Sequence, residues 1–325
     1  MNAEFELKPH LALPHELERR IFVSVAEVSY FDIPAMRCVA WRVNQWVEPF
    51  FHCGLYVDYE GDFATPGWSP DLLTADIVRR PEFFAENVRH AFLSVERASQ
   101  HPAALCLLAA CTQIDTLEIR RGYPATNTPL LDHVLALAGT LTRLHVDFGD
   151  LISKFGRARR NELDPVFSAF KHITHLELQD TALTFEVSSR LERMPRLTHL
   201  AVQYDSRLRG TLTSLYTILL TCKRLEVLVG LQELRRTAAT AELGDRYQAM
   251  EHPHYVDNNN PKFVVVRYVH RARDDPRGWL HLAREGGVAG YWPCAEEVVA
   301  RRLAELESDD DDDEEESSGS ESDSD

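Results

Sequence analysis

One short apolar pattern recurs along the middle of the chain. Ile114-Asp-Thr-Leu117-Glu-Ile119 is followed by Leu141-Thr-Arg-Leu144-His-Val146, Ile173-Thr-His-Leu176-Glu-Leu178 and Leu197-Thr-His-Leu200-Ala-Val202. A looser copy, Leu225-Glu-Val-Leu228-Val-Gly230, closes the series. Positions 1, 4 and 6 are apolar, and the starts lie 27, 32, 24 and 28 residues apart. One copy cannot bury its own apolar face, so the copies must stack. The pattern predicts an α/β fold, a leucine-rich-repeat-like solenoid of six or seven degenerate repeats. Strand and short helix alternate in such a fold, giving a parallel sheet with helices outside. The repeats are irregular: Gly122, Gly149, Thr181 and Asp205 stand at the ninth position, where an asparagine ladder would run.

The formal charge of −16 belongs mostly to the end of the chain. Residues 307–325 hold 12 acidic groups and no basic one, leaving 39 acidic against 35 basic residues elsewhere. No basic patch of nucleic-acid type is present. The densest basic cluster, Arg157-Ala-Arg-Arg160, reads as a solvated loop. No apolar run approaches the roughly 20 residues of a membrane span. Residues 1–10 form a lead-in with no apolar signal core. The six cysteines form no Cys-x-x-Cys pair and mostly sit among apolar neighbours, as small core residues do. These features predict a cytoplasmic or nuclear protein without a disulfide framework.

Before the repeats, residues 11–60 form a helical segment that ends in a β-like stretch, Leu55 to Tyr59. Pro14 suits a first helical turn, and Leu17, Ile21 and Phe22 share one face. A second turn and helix cover Ile33 to Val47, and Glu48-Pro49 is expected to end them. Residues 61–306 form the repeat domain, with Val88 to Leu93 as its first strand. Helical spacing marks 101–111, 129–139, 163–170, 188–194 and 212–222. Residues 232–262 read as a helix and an exposed loop, Phe263 to Tyr268 as a buried terminal strand, and 291–306 as a closing amphipathic helix. The segments 11–60 and 263–306 are expected to cap the two ends. The acidic tail 307–325 is expected to be disordered, with Ser308, Ser318, Ser320 and Ser322 spaced for acidophilic kinases.

Alternate strand residues face opposite sides. With positions 4 and 6 turned inward, positions 3 and 5 line the other face in two ladders of mixed charge. His90, Glu118, Arg143, His145, His175, Glu177 and His199 are therefore the candidate target-binding residues, and a solvated face without a ligand is the alternative. The ladder histidines alone do not make a metal site, which needs three or four converging ligands and a fixed second shell. No metal or cofactor is expected. Asp147-Phe-Gly149 imitates a kinase magnesium motif without its context, and no hydrolase, Walker or zincin motif occurs. The chain is not expected to be an enzyme.

Leu13-Pro14-x-Glu16-Leu17-x-x-x-Ile21-Phe22, then Val39-Ala-Trp41-Arg-Val43, resembles an F-box, the helical unit that binds the adaptor subunit of cullin–RING ubiquitin ligases. Over roughly residues 13–306 the chain resembles fungal F-box-like proteins with degenerate leucine-rich repeats. The stretches 42–49, 87–93, 261–265, 286–287 and 291–296 carry that likeness. The resemblance implies a substrate receptor whose partners are the adaptor and an unknown target protein. Leu13, Pro14, Leu17, Ile21, Phe22, Val39 and Trp41 would carry the adaptor contacts. The alternative is a leucine-rich-repeat scaffold with no ligase attachment, in which residues 11–50 only cap the repeats and turn the same apolar side chains inward.

Overall fold

The computed structural model describes residues 13–29, 32–57, 69–95, 101–121, 130–146, 167–178, 185–204, 209–234, 248–250, 260–269 and 290–315. Three helices come first: α1 (His15–Val28), α2 (Ile33–Arg37) and α3 (Trp41–His52). There follow β1 (Gly54–Val57), α4 (Pro70–Arg79), α5 (Pro81–Asn87), β2 (His90–Val95), α6 (His101–Ala110), β3 (Thr116–Arg121), α7 (Leu130–Ala136) and β4 (Arg143–Val146). The chain continues through β5 (His175–Leu178), α8 (Phe185–Ser188), β6 (His199–Gln203), α9 (Arg209–Thr221) and β7 (Val227–Leu234). It ends with β8 (Gln248–Met250), β9 (Phe263–Val269) and α10 (Tyr291–Glu315). The result is a mixed α/β fold around one nine-stranded sheet of order β1-β2-β3-β4-β5-β6-β7-β9-β8. Every neighbouring pair is parallel except β8 with β9.

The repeated pattern explains this order. Its residues at positions 1, 4 and 6, from Ile114 to Leu228, enter one continuous core with Leu73, Ile77, Leu107, Val134 and Leu215 of the helices. The backbone links the repeats as well. Each position-2 carbonyl, from Arg89 through Asp115, Thr142, Thr174 and Thr198, accepts the N–H groups of positions 2 and 3 of the next repeat. These bonds pair the backbone N–H groups at the strand entries. The exception at position 6 has a steric cause. A Cβ on Gly230 would lie 3.1 Å from Tyr204 Cβ and 3.2 Å from Phe263 Cζ, so the two rings already occupy that space.

Several expectations are corrected. The β-like stretch at Leu55 is the first strand of the sheet, β1, and pairs with β2, so the sheet begins one strand before Val88 to Leu93. The turn and helix expected over Ile33 to Val47 are two helices, α2 and α3, and Pro49 lies within α3, which runs one turn further to His52. Helices α4 and α5 were not expected; each places a proline in its first turn, where the missing N–H costs nothing. In 232–262, β7 reaches Leu234 and β8 covers the edge of β9, which is therefore not the terminal strand. Helix α10 extends to Glu315, into the tail expected to be disordered. Propagation adds one hydrogen bond per residue to an anchored helix without requiring burial. The basic cluster 157–160, the Asp147-Phe-Gly149 triplet, the polar segment around His252 and the serines Ser318, Ser320 and Ser322 lie outside the described residues.

The largest departure concerns the closing helix. It lies across the face of the last strands, β7, β9 and β8. Tyr291, Trp292, Ala295, Val298 and Val299 pack on Ala201, Val227, Val229, Leu231, Val264, Val266 and Tyr268, making a second core on the face opposite the first. Strands β7 and β9 are thus buried on both sides, which is why they read as nearly unbroken apolar runs. Among the described residues no helix is long and apolar enough to cross a membrane.

Candidate functional site

Two places gather the chemistry. The first is the N-terminal unit. Ala26, Ile33, Met36, Val43, Val47 and Phe51 form a small core of their own, with Phe22 and Trp46 packed against it. Glu18 accepts two bonds from Arg42, from Nη2 at 2.8 Å and Nε at 3.1 Å, which hold α1 against α3. The unit is fastened to the sheet by His52, edge-on to Phe83 and Phe84. Arg80 donates to Glu48 and Asp76 across the same joint and stacks on Phe83. Burial holds His52 below its ordinary pKa, against the pull of the Glu48 carbonyl, so the joint keeps a neutral ring.

This core uses only one side of α1. Leu13, Leu17, Ile21, Val25 and Val28 follow one another at intervals of four, four, four and three residues, and all are exposed. Val39 and Trp41 are exposed too, Trp41 at 73 %. Pro14 is exposed at the helix start, and Phe22 is half-buried. Only Ala26 of α1 is fully buried. Of the seven residues expected to contact an adaptor, six therefore face solvent and one joins the small core.

The second place is the polar ladder. Its register is the expected one: His90, Thr116, Arg143, His175, His199 and Val227 are directly paired in sequence, as are Phe92, Glu118, His145, Glu177, Ala201 and Val229. Its exposure is not. Glu118, His145, Glu177 and His199 are buried, while His90, Arg143 and His175 are half-buried. An open, solvated face is thus not what these residues make. The reason is the apolar side of α10, whose Tyr291 sits over the middle of the ladder. Its hydroxyl donates to Glu177 Oε2 at 2.5 Å, and the same oxygen lies 2.8 Å from His145 Nδ1. Glu118 Oε2 is 3.7 Å from that nitrogen. An imidazole between two carboxylates and a phenol satisfies groups that burial would otherwise penalise.

At the start of the ladder His90 Nδ1 lies 3.1 Å from Asp115 Oδ1, an ion-pair contact too poorly angled for a hydrogen bond. Burial alone would depress the pKa of His90, but Asp115 and the Cys53 sulfur outweigh it and push it up to about 9. Towards the end of the ladder His175 and His199 stack, with centroids 4.2 Å apart and planes 11° apart. Trp292 stands edge-on to both. Burial, the neighbouring His199 and Arg143 bring the His175 pKa down to about 3. Burial lowers that of His199 as well, against the opposing pull of Glu296 and Glu226.

Glu296 Oε1 is 3.3 Å from His199 Nε2. The donor atoms of His175, His199 and Glu296 all lie within 4.8 Å of one another. Sequence reasoning missed Tyr291, Trp292 and Glu296 as partners of the ladder. The signal that would have found them is the double-sided apolar character of β7 and β9, which demands a cover. All six cysteines are free thiols; burial pushes Cys111 up to about 12, so it is inert packing rather than a nucleophile. The chain matches no protein-family model and no curated protein.

Proposed function

We propose that the chain is an F-box-type substrate receptor of a cullin–RING ubiquitin ligase, acting by recognition rather than catalysis in the cytosol or nucleus. Helices α1 to α3 bind the adaptor subunit, and a degenerate leucine-rich-repeat solenoid built on the sheet holds the target. The observation that carries this is the exposed apolar stripe of α1. A helix that only capped the sheet would turn Leu17 and Ile21 inward; here both are about half exposed, and Trp41 at the start of α3 is exposed too. Contiguous apolar exposure rimmed by polar groups is the ordinary mark of a protein-binding face. Leu13, Leu17, Ile21, Val39 and Trp41 are the adaptor contacts in this reading. Phe22 acts from behind, by holding α1 on its small core. Target capture falls to the partly buried ladder residues His90 and Arg143, since Glu118, His145 and Glu177 are bonded among themselves and to Tyr291.

The runner-up, a leucine-rich-repeat scaffold with no ligase attachment, draws support from the joint at His52 and Arg80, which ties the helical unit to the sheet as a cap would be tied. Affinity purification separates the two. Full-length protein is expected to bring down the ligase adaptor, and Leu17→Asp with Ile21→Asp is expected to abolish this while leaving the fold intact. Adaptor recovered equally with the double variant, or never recovered with the full-length chain, leaves the scaffold reading standing.

A further inference from the structure

Position 3 is histidine in two successive repeats, and the parallel register pairs them directly, His175 with His199. Paired residues on neighbouring strands sit about 4.8 Å apart, so the two rings stack and their outer nitrogens lie side by side. The residue before each is threonine. Thr174 Oγ1 is 2.9 Å from His175 Nδ1, and Thr198 Oγ1 is 2.8 Å from His199 Nδ1. Each hydroxyl is also within reach of a carbonyl of the preceding repeat, that of Thr142 at 3.2 Å and that of Thr174 at 3.3 Å. A hydroxyl so placed serves either tautomer. It donates to Nδ1, or it turns its proton to the carbonyl and accepts from Nδ1–H. In the second arrangement both Nε2 lone pairs face outward and both rings are fixed. That is the outer-shell support that ligating histidines have.

Two histidines do not make a site, but α10 brings a third donor. Glu296 reaches His199 Nε2 from the helix, four residues after the Trp292 that wedges both rings. We propose that His175, His199 and Glu296 bind a divalent transition-metal ion of the zinc type, with a fourth position open to water. Two imidazoles and one carboxylate suit such an ion and do not suit calcium or magnesium, which take oxygen ligands. No thiolate competes, because Cys294 turns back to the Gly290 carbonyl of its own helix.

The charge balance allows it. Glu296 is a ligand and Glu226 adds negative field at His199, while Arg143, paired with His175 in the sheet, opposes the cation. Tetrahedral zinc needs its donors about 3.3 Å apart. The half-exposed Glu296 side chain would move in, and the two rings, held by threonine only at Nδ1, would turn out of their parallel stack so that the Nε2 lone pairs converge. The metal would clip α10 to the sheet, independently of whatever α1 binds.

The test is calorimetric titration of chelator-stripped full-length protein with zinc chloride, alongside thermal melts. One tight site per chain and a raised melting temperature are expected. Glu296→Gln, an exposed and structurally mild change, should weaken binding at least tenfold, and His175→Ala with His199→Ala should remove it. Thr198→Val should weaken it about 10- to 100-fold through the lost outer-shell bond, whereas Arg143→Gln should tighten it. No tight site in the wild type overturns the proposal. So does zinc binding that survives Glu296→Gln undiminished, which would belong to other histidines.

Discussion

The two helical ends of this molecule meet the sheet in opposite ways. Helix α10 lays its apolar side down, with Tyr291, Ala295 and Val299 buried against β7 and β9. Helix α1 keeps its longer apolar stripe outside, from Leu13 to Val28. Both helices are amphipathic in sequence, and nothing in their spacing separates them. What separates them is whether the chain supplies a partner. The sheet offers α10 an apolar floor that includes Val227 and Val229 of β7 and Val264 and Val266 of β9. It offers α1 nothing, because α2 and α3 already fill the small core behind it. One helix thus buries its apolar side against the sheet, and the other leaves an apolar stripe exposed.

The comparison breaks most readily at Tyr291. Tyr291→Ala should destabilise the protein by about 3–5 kcal/mol, as loss of a buried aromatic does, and it leaves Glu177 without its phenol donor. Urea denaturation measures this. A change below about 1 kcal/mol would mean that α10 is not seated as described. Gly230→Ala is the next largest. The added methyl meets Tyr204 and Phe263 and should cost about 1–3 kcal/mol; an unchanged midpoint would mean the rings yield freely.

Strands were legible where their pattern had period two and a single buried face. The core residues at positions 1, 4 and 6 and the full ladder register, from His90 to Val227, follow from the apolar spacing alone. Strand β1 was legible as a β-like stretch at Leu55, but its place in the sheet was not, because Gly54–Val57 is buried at every residue and carries no copy of the repeat pattern. Helices α4 and α5 were not expected, although Pro70 and Pro81 stand in their first turns, where proline favours a helix start. The ladder was legible as a row of residues but not as a site. Its cover comes from a helix almost 100 residues or more downstream of the ladder strands, and local spacing says that a helix has an apolar side without saying where that side goes. Gly230 looked like a failed repeat and is a close approach.

A pH series sharpens the difference between the polar start of the ladder and its covered end. His90 titrates near 6.5 when unfolded and near 9 in the fold. Because the folded value is the higher, its contribution is fully present below pH 6.5 and is lost as pH rises through 9. The loss is on the order of 2 kcal/mol, discounted for the exposure of Asp115. Asp115→Asn should remove most of that alkaline fall; a variant that declines as steeply as the wild type would assign it elsewhere. The smallest effect belongs to the outer stripe. Leu17→Ala and Ile21→Ala should each change stability by less than about 0.5 kcal/mol, and a cost above 2 kcal/mol in the same denaturation would show that α1 is packed after all.

The central claim is that the outer face of α1 and the start of α3 are built for a partner. A binding isotherm between the purified chain and a purified cullin–RING adaptor subunit tests it most directly. The expected result is saturable one-to-one binding that weakens at least tenfold in Leu17→Asp and in Trp41→Ala, with both variants melting like the wild type. Binding that ignores both substitutions, or an adaptor that does not bind at all, would contradict the account.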